Sequence, residues 1–130
     1  MTSNLGFSFD HVHFFCSDLT ASVRWFMDGL GAELVRERSV SGARAADLRL
    51  AGTSLFLREQ TAGEKLGAAG PSRFGTDHMG LRVDDLICTI EELRRRGVEI
   101  EMEPKEMNPG LKIAFIRGPD SVRVEVLERK

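Results

Sequence analysis

The chain of 130 residues lacks several features that would assign it directly to a class of protein. It contains no tyrosine, only two cysteines and only three histidines. Its 20 acidic and 18 basic residues leave a formal net charge of −2, which argues against a nucleic-acid or anionic-membrane partner, because such surfaces select clustered positive charge. The apolar runs are a few residues long, far short of the roughly 20 residues that span a bilayer.

Signals for export, disulfides and common enzyme classes are also missing. The first ten residues, MTSNLGFSFD, have neither a basic nor an apolar signal region, so the sequence predicts a cytoplasmic protein. Cys16 and Cys88 form no CxxC pair, and we interpret both as reduced, buried thiols rather than as a disulfide. The absence of a GxSxG elbow, a P-loop and a dinucleotide-binding glycine motif leaves hydrolases, NTPases and Rossmann enzymes without support.

What the chain does contain is an internal repeat. An offset of 67 residues, from position 11 to position 78, superposes one Asp-His pair and one Asp-Leu pair on a second copy of each. The pairs are Asp10-His11 with Asp77-His78, and Asp18-Leu19 with Asp85-Leu86. Because both pairs match at the same offset, we infer that one structural unit is present twice in the chain.

Each copy predicts the same order of elements. The strands HVHFFCS and HMGLRV are followed by the helices DLTASVRWFMDGLG and DDLICTIEELRRRG, which begin at capping residues and end at glycines. Three short strand candidates follow each helix, which gives two βαβββ modules and an α+β fold. We place the first module at residues 7–60, a Gly- and Ala-rich linker and candidate flap at 61–74, and the second module at 75–130.

The sequence resembles the vicinal oxygen chelate superfamily, which includes glyoxalase I, extradiol dioxygenases and bleomycin-resistance proteins. The resemblance rests on DHVHFFCSDLTASVRWFMDGLGAEL, DHMGLRVDDLICTIEELRRRGVEI and IAFIRGPDSVRVEVLE, and covers nearly the whole chain outside the linker. It implies that the two modules form an open eight-stranded half-barrel around a metal. One such scaffold supports many reactions, so the resemblance specifies the fold more closely than the chemistry.

The resemblance also implies a metal site. In the family, a histidine from each first strand and a glutamate from the last strand bind the metal, which corresponds here to His11, His78 and Glu125. Strand alternation places Glu125 opposite the apolar valines beside it and therefore in the cleft. Two imidazoles and a carboxylate suit Zn, Ni, Mn, Co or Fe(II) and leave positions open for substrate. The alternative is that both histidines are hydrogen-bonded core residues and that Glu125 pairs with Arg82 or Arg123.

The chain departs from the family pattern at the fourth ligand. The matching position in SLFLREQ is Phe56 or Leu57, and neither side chain can bind a metal. Glu59 could turn into the site only if its strand bends. Three possibilities follow: a 2-His-1-carboxylate triad, as in iron(II) oxygenases, a water in the fourth position, or loss of metal binding.

His13 lies two residues after His11, so both face the same side of a strand. Its equivalent in the second copy is Gly80, so the repeat gives His13 no structural role. We interpret it as a catalytic base or substrate contact, with metal binding and ordinary packing as alternatives. Either His13, whose ordinary pKa lies near neutral pH, or Glu125 would move the proton.

The functional hypothesis is a small divalent-metal enzyme, of glyoxalase-like lyase or isomerase type, that acts on a small oxygen-rich metabolite through an enolate. An Fe(II) ring-cleaving dioxygenase and a metal-free antibiotic-binding resistance protein are the alternatives. The family resemblance further implies a homodimer and a small-molecule substrate.

Overall fold

A computed structural model describes residues 5–70 and 74–130 as two four-stranded sheets, each covered on one face by a helix. The elements of the first module are β1 (His11–Cys16), α1 (Leu19–Arg24), a π-helical turn (Trp25–Gly29), β2 (Glu33–Val40), β3 (Ala43–Leu50) and β4 (Thr53–Glu59). Those of the second are β5 (Met79–Arg82), α2 (Leu86–Arg95), β6 (Glu99–Asn108), β7 (Leu111–Arg117), a 3-10 turn (Pro119–Ser121) and β8 (Arg123–Arg129). This confirms the predicted α+β fold of two βαβββ modules.

The two sheets have the same topology. The strand orders are β1-β4-β3-β2 and β5-β8-β7-β6, with the first strand of each module parallel to the last and the other pairs antiparallel. The sheets are not closed into a barrel. Of the predicted linker, residues 71–73 lie outside the described part of the chain, and the module boundaries remain a prediction.

The repeated Asp-Leu pair starts both helices by the same mechanism. The Asp18 side chain accepts a hydrogen bond from the Ala21 amide at 3.2 Å, and Asp85 accepts one from the Cys88 amide at 3.0 Å. An aspartate N-cap satisfies one of the amides that the first helical turn leaves without a partner. Aspartate at both caps explains why the helices begin where the sequence predicts.

A glutamate on the last strand of each module fixes the helix against its sheet. Glu59 accepts a hydrogen bond from the Leu19 amide at 2.8 Å, and Glu128 accepts one from the Leu86 amide at 2.9 Å. Both carboxylates therefore lie on the helix-covered face of their sheets. Because Glu59 has this role, it does not face the opposite side, where a metal would bind.

Two hydrophobic clusters lie between the helices and the sheets. The first contains Phe26, Leu48, Leu55 and Leu57, and the second is built on α2, whose inward residues Leu86, Ile90 and Leu93 are buried as predicted. We call the opposite side of each sheet, which no helix covers, its open face. On β2, the outermost strand of the first sheet, nearly every residue is exposed.

Trp25 and Leu30 join the two modules, because both pack against the first and the second cluster. Two hydrogen bonds also cross the junction, from the Ser17 amide to Asp120 at 2.9 Å and from Arg96 to the Gly29 carbonyl at 3.2 Å. The edges of β1 and β5 are consequently held on either side of a common cleft.

The prediction for the cysteines is half right. Both are free thiols, as expected, but Cys16 is buried and Cys88 is exposed on α2. Cys88 lies two residues from the inward-facing Leu86 and Ile90, and therefore on the side of the helix turned to solvent. Within residues 5–70 and 74–130, no helix is long and apolar enough to cross a membrane.

Candidate functional site

A cleft with a volume of about 1110 Å³ lies between the two modules. Its walls come from β1, from linker residues 66–69, from residues 76–79 before and at the start of β5, and from the segment that leads into β8. His13 and His78 line it, whereas His11 and Glu125 lie outside its lining. The cleft therefore brings together only part of the predicted site.

His11 and His78 have the same local geometry in the two modules. In each case Nδ1 donates to the carboxylate of the preceding aspartate, from His11 to Asp10 and from His78 to Asp77, both at 2.7 Å. A ring whose Nδ1 carries the proton presents the lone pair of Nε2 outward. Carboxylates orient metal-binding histidines in this way, so the repeated Asp-His pair is suited to hold a metal from both modules.

The surroundings of His78 fix its ring further. Phe115 packs edge-on against it with ring centroids 5.0 Å apart, and the Arg123 guanidinium lies 3.8 Å from the Phe115 centroid. Arg123 also donates to Asp77 at 2.6 Å and to Glu101 at 2.8 Å. The hydrogen bonds from His78 and Arg123 lower the pKa of Asp77, which favours its ionised form as the support of the ring.

Glu125 lies on the open face of the second sheet. Its neighbours Val124 and Val126 are buried against α2, and Phe115 and Gly80 are its cross-strand partners. Arg82 donates instead to the Arg129 carbonyl, so the pairing considered as an alternative is not formed. Among the described residues, Glu125 takes part in no hydrogen bond or ion pair, which leaves its carboxylate free to bind a ligand.

The strand register settles which residue occupies the fourth ligand position. His13 is paired with Phe56, and its equivalent Gly80 is paired with Glu125, so Phe56 is the counterpart of Glu125. Leu57 is completely buried on the helix side. The Phe56 ring stacks on the His11 imidazole with centroids 4.1 Å apart. An aromatic ring thus packs on His11 at the position where the family resemblance implies a fourth ligand.

His13 lies on the open face of the first sheet, beside Phe15, whose ring it meets edge-on at 5.0 Å. Partial burial and the positive charges of Arg58 and Arg38 lower its pKa, so the neutral ring is favoured at physiological pH. A neutral imidazole can accept a proton, which is what the proposed role of His13 requires.

The three predicted ligands are not gathered within one chain. His78, directly before β5, and Glu125 on β8 flank Phe115 of the second sheet, whereas His11 is on the first sheet. Over residues 5–70 and 74–130, no three His, Cys, Asp or Glu side chains are arranged to hold a metal ion. The donor atoms fit a divalent metal chemically, but a single copy supplies them on two separate faces.

Sequence reasoning missed a cluster on the first open face, in which the buried Asp47 binds Arg36 and Arg38. The signal was present in ARAADLRL, where a lone aspartate interrupts an apolar strand. A buried charge needs ionic partners, and the alternating arginines of the neighbouring strand were the nearest candidates.

The fold is a two-module βαβββ scaffold with a matching Asp-His pair in each module, and comparison with known proteins identifies its family. A family model described as the glyoxalase, bleomycin resistance protein and dioxygenase superfamily matches residues 8–126. The chain belongs to this superfamily. It also resembles a crystal structure of a glyoxalase family protein from Enterococcus faecalis, with a TM-score of 0.78, 23% identity, and coverage of 93% of this chain and 97% of the other.

Two curated plant relatives carry the names of different activities. A probable chloroplastic lactoylglutathione lyase from Arabidopsis thaliana is 28% identical over 123 residues, which cover 92% of this chain and 35% of that protein. A 4-hydroxyphenylpyruvate dioxygenase from Hordeum vulgare is also 28% identical, over 150 residues, with the same two coverages. The chain thus spans about a third of the length of each, and both a lyase and a dioxygenase occur among its relatives.

Proposed function

We propose that this protein is a divalent-metal enzyme of the vicinal oxygen chelate type, which converts a small oxygen-rich metabolite by a lyase or isomerase reaction. The observation that supports it most directly is the pair of matching Asp-His hydrogen bonds, which leave Nε2 of His11 and His78 turned outward. The unpaired carboxylate of Glu125 supplies the third donor.

The proposal requires a homodimer. Since one chain carries His11 on one open face and His78 with Glu125 on the other, the site forms when the first module of one copy faces the second module of another. Exposed apolar side chains support such an assembly: Phe15 is 47% exposed, Val35 55% and Met107 49%. Burying them on association would contribute to its stability.

In this site a bound divalent ion supplies Lewis-acid stabilisation of negative charge on neighbouring substrate oxygens. The chain's own residues do the rest. Asp10 and Asp77 hold the two imidazoles in one tautomer, and Phe56 packs against the His11 ring. His13, neutral at physiological pH, accepts the substrate proton, with Glu125 as the second group able to carry it.

The test is metal content by elemental mass spectrometry on untagged protein after loading with Zn, Ni, Mn, Co or Fe(II). We expect about one ion per chain in the wild type and loss of the ion in His11→Ala, His78→Ala and Glu125→Ala. His13→Ala is the matched control, because it removes a histidine from the same strand; it should keep the ion and lose activity. A wild type that takes up none of these metals would refute the enzyme and leave a metal-free binding protein.

A mixing experiment tests whether the site is shared between copies. His11→Ala and Glu125→Ala are each metal-free, but a heterodimer of the two contains one intact site, made from the unmutated module of each chain. Equal mixing with free exchange should therefore restore about one ion for every four chains. No recovery, with dimer exchange verified by mass spectrometry, would show that the site is not shared in this way.

One observation favours a second candidate, the Fe(II) ring-cleaving dioxygenase. Phe56 in the fourth position leaves a 2-His-1-carboxylate donor set, which is the ligand set of non-haem iron oxygenases. The assay is oxygen uptake by iron-loaded protein with a panel of catechols. Uptake that disappears in Glu125→Ala would select the dioxygenase over the lyase or isomerase.

A further inference from the structure

The first open face contains two arginines held side by side by one buried carboxylate. Asp47 on β3 is buried, with its side chain only 4% exposed. Its Oδ2 accepts from Nε of Arg36 at 2.7 Å, and its Oδ1 accepts from Nε of Arg38 at 2.9 Å. Both guanidinium groups are therefore anchored through Nε, and the cluster carries one surplus positive charge.

The anchoring leaves donors unused. In the described part of the chain, the terminal nitrogens of Arg36 and Arg38 make no hydrogen bond, so each arginine keeps the fork that recognises planar oxyanions. Three other arginines on the open faces give terminal nitrogens to carboxylates. Arg58 gives both terminal nitrogens to Glu64, at 2.7 and 3.1 Å, and Arg117 and Arg123 share Glu101. In Arg36 and Arg38, by contrast, Nε alone holds the guanidinium group, and among the described residues both terminal nitrogens are left for a ligand.

The cluster also lies close to the proposed chemistry. Register places Asp47 opposite Phe56, and Phe56 opposite His13, so all three side chains share one row of the sheet. The Arg38 guanidinium is 5.3 Å from the centroid of the Phe56 ring, on which His11 stacks. One aromatic ring therefore separates the Arg38 fork from a proposed metal ligand.

We propose that Arg38, together with Arg36, binds an oxyanion group of the substrate, a carboxylate or a phosphate, and that Asp47 is the positioning residue for both. The substrate class is then an anionic metabolite whose charged group lies about one ring width from the oxygens that react. This inference deepens the proposed function and rests on it for the identity of those oxygens. The anion site itself can be measured without a metal.

The test is calorimetric titration of the purified protein, in low-salt buffer with EDTA, using inorganic phosphate in one series and malonate in another. We expect binding of at least one of them, weakened roughly tenfold to a hundredfold in Arg38→Gln and in Arg36→Gln, as for loss of a charged hydrogen bond. Binding of phosphate but not malonate would identify the substrate group as a phosphate, and binding of malonate but not phosphate would identify it as a carboxylate. Arg38→Lys should fall between wild type and Arg38→Gln, because it keeps the charge and loses the fork.

Arg44→Gln is the matched control, because Arg44 is on the same sheet but faces the helix, where it donates to Thr20. It should leave anion affinity unchanged. Three results would each overturn the proposal. They are equal anion affinity in wild type and Arg38→Gln, a loss of affinity in Arg44→Gln as large as in Arg38→Gln, and a wild type that binds neither anion. Asp47→Asn should weaken phosphate or malonate binding while metal uptake is retained, whereas a purely structural role would impair both.

The failures of the two proposals are distinguishable. If anions bind through Arg38 but no metal is taken up, the enzyme proposal fails and the anion site stands. If metal binds with the expected variants but neither anion does, the metal centre stands and the arginine cluster is structural.

Discussion

Replacing Gly118 by alanine should loosen the junction that sets the two modules relative to each other. The backbone of Gly118 is extended, with φ of −115°, so alanine meets no conformational penalty there. The added Cβ, however, would lie 2.8 Å from Cε2 of Trp25 and 2.9 Å from two further ring atoms. Carbon atoms in favourable contact are about 3.5–4.0 Å apart, so either the indole or the turn must move.

Overpacking of this kind costs about 1–3 kcal/mol. In a chain of this size each kcal/mol lowers the melting temperature by roughly 3–5 °C. Thermal unfolding followed by circular dichroism measures the loss. Because Trp25 is the only tryptophan, its fluorescence reports directly on the junction, and its emission maximum should shift in Gly118→Ala.

Gly67→Ala is the matched control, since a Cβ at Gly67 would meet nothing within 4 Å. The decisive comparison is a double-mutant cycle with Trp25→Phe, because a smaller ring should make room for the added methyl group. Gly118→Ala should therefore cost less in the Trp25→Phe background than in the wild type. Equal costs in both backgrounds, or a Gly118→Ala protein as stable as the wild type, would refute the steric reasoning.

Three further predictions address the site and the thiols. Phe56→Glu places a second carboxylate, the fourth donor, at the counterpart of Glu125, so metal should be lost to EDTA more slowly than from wild type, as elemental analysis over time would show. Burial alone would raise the pKa of Asp47, but hydrogen bonds from its two arginines lower this pKa below the ordinary 3.8. The ionised carboxylate stabilises the folded state above that pH, and this stability is lost as the pH falls. The melting temperature of the wild type should therefore drop more steeply below pH 4 than that of Asp47→Asn. Iodoacetamide should modify Cys88 in the native protein and Cys16 only after unfolding, because Cys88 is exposed and Cys16 is buried. Mass spectrometry of native and denatured samples measures which thiol is modified in each.

The asymmetry between the modules is concentrated in one row of side chains. His13 and Phe56 on the first sheet correspond to Gly80 and Glu125 on the second. The scaffold residues, by contrast, are duplicated: an aspartate caps each helix, a glutamate ties each helix to its sheet, and an aspartate orients each repeated histidine. The residues that maintain the module and the two Asp-His pairs are therefore present twice, whereas His13 and Glu125, which we assign to proton transfer, are each present once.

The sequence by itself determined the features that depend on local pattern. The 67-residue offset revealed two modules, the aspartates marked the helix starts, and alternation along β8 put Glu125 opposite the buried valines. Each of these follows from the period of a strand or from hydrogen bonds within one turn of a helix. Such interactions join residues close in the chain, so a single segment carries the information.

Tertiary structure decided what depends on residues distant in the chain. The choice of Phe56 over Leu57 required the register between β1 and β4, and the role of Glu59 required its contact with α1. The separation of His11 from Glu125 follows from how the modules pack at Trp25. Register and packing are set by the summed contacts of both paired segments, which no single segment specifies. The cluster around Asp47 likewise depends on the pairing of β2 with β3.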